Sequence, residues 1–149
     1  MWCDYNQLTT LNASGLAELQ YLYCNNNQLT TLDVSGLTKL ETLQCYNNKL
    51  ATLDLSGLTA LSTLDCYMNN LTALDLNGLT ELTRLNCYDN ELSALDITQQ
   101  TKLTTWYCGG QKGGKTLTLT LTSAQKSTWE TDTSMSDDYK NESVTLNVK

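Results

Sequence analysis

Residues Leu40–Ala60 read LETLQCYNNKLATLDLSGLTA, and residues Leu61–Glu81 read LSTLDCYMNNLTALDLNGLTE, the same pattern moved on by 21 positions. Cysteine marks the period without a slip, at Cys3, Cys24, Cys45, Cys66, Cys87 and Cys108. Leucine stands two residues before it (Leu22, Leu43, Leu64, Leu85) and five after it (Leu8, Leu29, Leu50, Leu71, Leu92). Asparagine stands three after it, at Asn6, Asn27, Asn48, Asn69 and Asn90. A fixed period of this size predicts a solenoid. Each unit is too small to bury its apolar side alone and must bury it against the units above and below.

Within a unit, Leu43-Gln44-Cys45 alternates in, out, in, which predicts a short parallel strand. Leu53-Asp54-Leu55 alternates in the same way and predicts a second extended row across the coil. Extended rows match the ~4.8 Å spacing of strands, whereas helices would need 8–10 Å. A weakly curved prism is therefore expected, with a parallel strand face. The asparagine column is expected to serve backbone groups that lose ladder partners where the strand turns. Gly15, Gly36, Gly57 and Gly78 suit a second turn with positive φ, and Gln99-Gln100 breaks that part of the pattern in the fifth repeat.

The unit L-x-x-L-x-C-x-x-N-x-L, as in Leu40, Leu43, Cys45, Asn48 and Leu50, resembles the leucine-rich repeat with cysteine at one consensus leucine. The remaining L-D-L-S-G-L-T resembles the short extended repeats of bacterial cell-surface leucine-rich-repeat proteins, internalin-like ones included. The resemblance implies a mainly β, right-handed leucine-rich-repeat solenoid and an extracellular or cell-surface location. For ligand it implies little, because the repeat supplies a surface and not a chemistry.

Composition bounds the function further. A net charge of −7 argues against nucleic acid, which needs a basic footprint. No stretch approaches the length of a membrane-spanning helix. Met1 is followed at once by repeat residues, so no signal peptide is expected in this stretch. The chain has no histidine, so the usual general base is missing, and carboxylates in a row do not make a pocket. No enzyme activity and no cofactor are expected. The six cysteines invite a disulfide reading that the register opposes. Equivalent thiols in stacked coils stand ~4.8 Å apart with parallel Cβ vectors, and a bridge needs converging Cβ atoms ~3.8 Å apart. Free, buried thiols are expected, without a metal.

Residues 1–108 form the expected solenoid and 109–149 a C-terminal cap. Gly109 to Thr116 formally matches G-x-x-x-x-G-K-T, but Lys115-Thr116 opens a period-two strand and not a helix, so a glycine-rich hinge is expected and not a phosphate loop. Thr116 to Thr122 predicts an amphipathic strand. Thr122 and Gln125 predict a capping box for a helix over Ser123–Thr131 anchored by Trp129. Ser134–Asn141 predicts a polar loop, and Val144, Leu146 and Val148 a last strand. This small β-α-β cap is expected to cover the open end. The first coil lacks one, which leaves a truncated end or a dimer contact.

Two outward patterns bear on function. Asp33, Asp54, Asp75 and Asp96 form a row that either bridges calcium or is satisfied by nearby hydroxyls. On the strand face Tyr46, Tyr67 and Tyr88 recur at one position, with Tyr21, Tyr23, Arg84, Asp65 and Asp89 around them. Aromatic anchors beside polar groups are the mix of recognition hot spots, though stacked tyrosines also stabilise cross-strand pairs. The chain reads as a non-catalytic module binding a protein or glycan partner through this face. The rival reading is a structural spacer without a ligand of its own.

Overall fold

The computed structural model describes residues 1–131 and 144–149, and the stretch Ser134–Asn141 lies outside the described residues. The strands are β1 (Thr10–Asn12), β2 (Tyr21–Tyr23), β3 (Thr31–Asp33), β4 (Thr42–Gln44), β5 (Thr63–Asp65), β6 (Arg84–Asn86), β7 (Ala94–Asp96), β8 (Thr105–Tyr107), β9 (Leu117–Leu121) and β10 (Val144–Val148). An α-helix, α1 (Ser123–Thr131), belongs to the cap, and a short 3-10 turn at Lys112–Gly114 precedes β9. The expected strand face is a five-stranded parallel sheet in the order β2-β4-β5-β6-β8. Its register matches the repeat, pairing Leu22 with Leu43, Leu43 with Leu64, Leu64 with Leu85 and Leu85 with Trp106. Trp2 bridges to Tyr23 and carries the face into the first coil.

Inside, Leu22, Leu43, Leu64 and Leu85 are fully buried, as are Cys24, Cys45, Cys66, Cys87 and Cys108. Each buried leucine contributes ~1.5–3 kcal/mol, and that burial comes from neighbouring coils. All six cysteines are free. Burial pushes the Cys24 and Cys108 thiols up to about 12 and the middle three well above their ordinary value.

The asparagine column closes the turn as expected, by reaching backbone groups of its own coil and of the coil before. Asn48 Nδ2 donates to Cys45 O (3.0 Å) in its own coil and to Cys24 O (3.1 Å) in the coil before. Its Oδ1 accepts from Leu29 N–H at 2.9 Å. The same set recurs at Asn69 and Asn90. Gln111 continues it, accepting from Leu92 N–H at 2.8 Å and donating to Cys108 O at 2.8 Å. The lysines of the glycine-rich stretch turn back onto the solenoid. Lys112 bonds Asn70 Oδ1 (3.0 Å) and the Asn69 carbonyl, and Lys115 pairs with Glu91 at 3.1 Å.

The back row is hydrogen-bonded only toward its two ends. β1 pairs with β3 and β7 with β9, but the extended segments at 52–54 and 73–75 form no ladder. Shallow grooves open there instead, one lined by Ala51, Leu53, Asp54, Thr72, Ala73 and Asp75. The strand face, with its ladder and its buried cysteines, sets the coil spacing.

In the cap, β9 pairs in parallel with both β7 and β10, so it extends the back row. Leu117, Leu119 and Leu121 are buried and the threonines between them are not fully buried. The capping box forms, with Gln125 N–H donating to Thr122 Oγ1 (3.3 Å) and Thr122 N–H to Gln125 Oε1 (2.8 Å). Gln125 Nε2 also donates to Ile97 O (2.7 Å) and Gln100 O (3.2 Å), tying α1 to the last coils. Gln100, where the repeat has leucine, donates to Leu76 O at 2.8 Å. At the other end Leu8, Leu11 and Leu19 are only half-buried and Leu16 is 48 % exposed.

Candidate functional site on the strand face

Strand alternation sends outward the residues three before, one before and one after each cysteine, and the left-handed turn adds the residue two after it. Tyr46, Tyr67 and Tyr88 stand one after, and their rings form a continuous stack. Centroids are 4.3 Å apart between Tyr46 and Tyr67 and 4.8 Å between Tyr67 and Tyr88, with planes inclined by 7° and 11°. The spacing is that of the parallel strands beneath. Tyr67 is therefore covered on both faces, and the stack presents ring edges and hydroxyls. Burial, then the flanking Tyr46 and Tyr88, raise the Tyr67 hydroxyl far above its ordinary pKa.

Beside the stack, Arg84 Nε donates to Asp65 Oδ1 at 3.2 Å, and Gln44 Nε2 donates to Asp65 Oδ2 at 3.2 Å. The guanidinium carbon stands 5.6 Å from the centre of the Tyr107 ring. Asp65 points outward in register yet is only 5 % exposed, because its neighbours in the column cover it. Burial holds its carboxyl above the usual carboxylate range, with Arg84 and Gln44 pulling the other way.

The other sequence candidates lie apart. Tyr23 stacks with Trp2 at 4.4 Å, at the open end. The Tyr21 hydroxyl donates to Glu41 Oε2 at 3.2 Å, and the Glu41 carboxylate raises its pKa. Asp89 occupies the left-handed turn after the stack, at φ +51°. The structure thus gathers Tyr46, Tyr67 and Tyr88 into one stack beside the Arg84–Asp65 pair, and leaves Tyr21 and Tyr23 near the first coil. Gln44 and Tyr107 join the site as well; both sit one before a cysteine, in Asp65's own outward column, which is the signal that points to them.

On the back, each aspartate of the row holds the turn that follows it. Asp33, Asp54, Asp75 and Asp96 Oδ1 accept from the backbone N–H of Ser35, Ser56, Asn77 and Thr98 at 2.9–3.0 Å. Those bonds keep Asp33 and Asp54 below the usual carboxylate range, and Thr98, through hydroxyl and backbone, does the same for Asp96. Among the described residues no group of three potential ligands is arranged to hold a metal ion. No described helix is long and apolar enough to cross a membrane.

Residues 17–60 match the family described as Leucine Rich repeats (2 copies). Among solved structures, the chain is similar to the functional domain of InlJ from Listeria monocytogenes, which includes a cysteine ladder. The match has 37 % identity and a TM-score of 0.74, covering 82 % of this chain and 29 % of that one. The chain therefore spans less than a third of that domain. No curated protein sequence matches.

Proposed function

Since the chain is a bacterial internalin-like leucine-rich-repeat protein, we propose that it is a non-catalytic module that binds a protein partner with its strand face, at the cell surface or after secretion. The observation that carries this reading is the Tyr46–Tyr67–Tyr88 stack. Tyrosine brings large contact area at low entropic cost. A sugar ring would lie on an aromatic face, and both faces of Tyr67 are already covered. Edges and hydroxyls suit the hydrogen-bonding, edge-to-face contacts of a protein surface better.

The test is an array of proteins and glycans probed with this chain and with the triple variant Tyr46→Ser, Tyr67→Ser, Tyr88→Ser. A true protein partner should bind the variant at least about tenfold more weakly, or ~1.4 kcal/mol, while the melt moves by only a few degrees. Binding to glycans alone would overturn the choice of partner. The stack and the Arg84–Asp65 pair also join neighbouring coils, which favours the spacer as second reading. If the melt collapses and the folded fraction binds every partner normally, the spacer stands.

A further inference from the structure

Arg84 is the chain's one arginine and the one cation in the four outward columns of the strand face. Its side chain is 42 % exposed and yet held at two points. Asp65, almost wholly buried, takes the Nε–H side-on, and the Tyr107 ring lies 5.6 Å from the guanidinium carbon. Only Nε is engaged by a hydrogen bond among the described residues, which leaves the two terminal amino groups without an acceptor. A guanidinium offers paired N–H groups in a planar fork that matches a carboxylate. Here the fork is oriented before any ligand arrives, so the cost of ordering it is already met by the fold.

We propose that Arg84 is the anchor for a carboxylate of the protein partner, an aspartate or glutamate side chain seated beside the tyrosine stack; this rests on the protein-binding reading of the face. Asp65 occupies only the Nε edge of the guanidinium, with Gln44 donating to its other oxygen, so the terminal edge stays open to a second acceptor. The surrounding charge sharpens it. On a chain of net charge −7, a partner's carboxylate is repelled over most of the face and attracted at one point. Such a contrast fixes where an acidic residue can land and so sets the register of the complex.

The single arginine makes the test direct. Protein carrying 15N-arginine gives guanidinium signals from Arg84 alone. They are followed at low ionic strength, where screening is weak, against N-acetyl-Tyr-Glu-Tyr-amide, its Gln counterpart and N-acetylneuraminic acid. The Glu peptide should shift Nε and the terminal nitrogens saturably, with an affinity about tenfold above the Gln peptide. Arg84→Lys keeps the charge but loses the fork, and the Glu peptide, followed on the Asn86 and Tyr88 amides, should bind it several-fold more weakly. Equal response to the Glu and Gln peptides, or undiminished binding to a folded Arg84→Lys, would overturn the anchor. An acidic sugar that binds more tightly than the Glu peptide would overturn the protein source of the carboxylate. A saturable guanidinium titration with no protein hit on the array would sink the protein-partner reading of the face and leave the fork standing as a carboxylate site; the opposite result would sink the anchor alone.

Discussion

The side-chain amide of Asn69 donates to the carbonyl of Cys45, 24 residues earlier in the chain, at 3.1 Å. The same nitrogen serves Cys66 O at 3.0 Å, and the amide oxygen receives the Leu50 N–H at 3.0 Å. One side chain thus closes its own turn and joins it to the coil before.

Asn69→Ala should be among the costliest single changes. It orphans the buried Leu50 N–H and removes a donor from two cysteine carbonyls. At ~1–3 kcal/mol per orphaned buried group, a loss of about 3–5 kcal/mol in urea unfolding is expected. Asn69→Asp should be worse at neutral pH than in acid, because an ionised carboxylate would face carbonyl oxygens.

Met68 should respond in the opposite direction. Tyr5, Asn26, Asn47, Met68 and Asp89 share a left-handed turn at φ of 51–54°. Asparagine tolerates that region and methionine does not. Asn47 also donates to Asn26 Oδ1 at 2.7 Å, a coil-to-coil bond that methionine cannot extend. Met68→Asn should raise stability by roughly 0.5–1 kcal/mol, read as a higher urea midpoint with unchanged slope.

That turn marks the limit of what the sequence shows. Columns of cysteine, leucine and asparagine make the solenoid and its strand face legible, because each needs burial or a backbone partner in every coil. Thr122 and Gln125 spell out the cap helix for the same reason. The left-handed column carries Tyr, Asn, Asn, Met and Asp, and only its sixth member, Gly110 at φ +60°, betrays the conformation. The tyrosine stack could be read from its spacing. The seating of Arg84 could not, since it depends on burial of an outward aspartate and on the reach of a long side chain toward Tyr107. Alternation in Leu53-Asp54-Leu55 marks an extended row, but whether such rows pair into a ladder is not written in the alternation.

Trp129 should hold the cap on the solenoid. It is 6 % exposed and its ring lies 5.9 Å from that of Trp106, which replaces a core leucine. Trp129→Ala should cost about 3–5 kcal/mol. With the cap loosened, Trp106 becomes hydrated and its emission should shift red before the solenoid melts. A single cooperative melt with unshifted emission would show that the cap is held without the tryptophan pair.

The thiols should be protected by burial alone. Five cysteines are buried and Cys3 is half-buried. Native protein should react with a thiol reagent only at Cys3, and slowly, since burial raises that thiol too. All six should react in denaturant, and intact mass should be indifferent to reductant. Cys66→Ser should destabilise by roughly 1–3 kcal/mol, through a buried hydroxyl in place of an apolar thiol.

Asp65 should give the stability a pH dependence of unusual sign. Its folded carboxyl binds its proton more tightly than in the unfolded chain, chiefly because burial penalises the charge. The stability it contributes is therefore full below about pH 3.9 and lost as pH rises through the folded value. Asp33, Asp54 and Asp96 run the other way, their folded values being depressed. Theirs is present above about pH 3.9 and lost as pH falls further. Asp65→Asn should remove the decline on the neutral side and leave the acid limb intact. At pH 7 the variant should melt no lower than the parent, because a neutral amide avoids burying a charge and Arg84, 42 % exposed, stays hydrated. Melting curves across the acid and neutral range decide it. A variant that loses more than about 3 kcal/mol at pH 7 would show the Arg84 pair to be a net stabiliser of the coil stack.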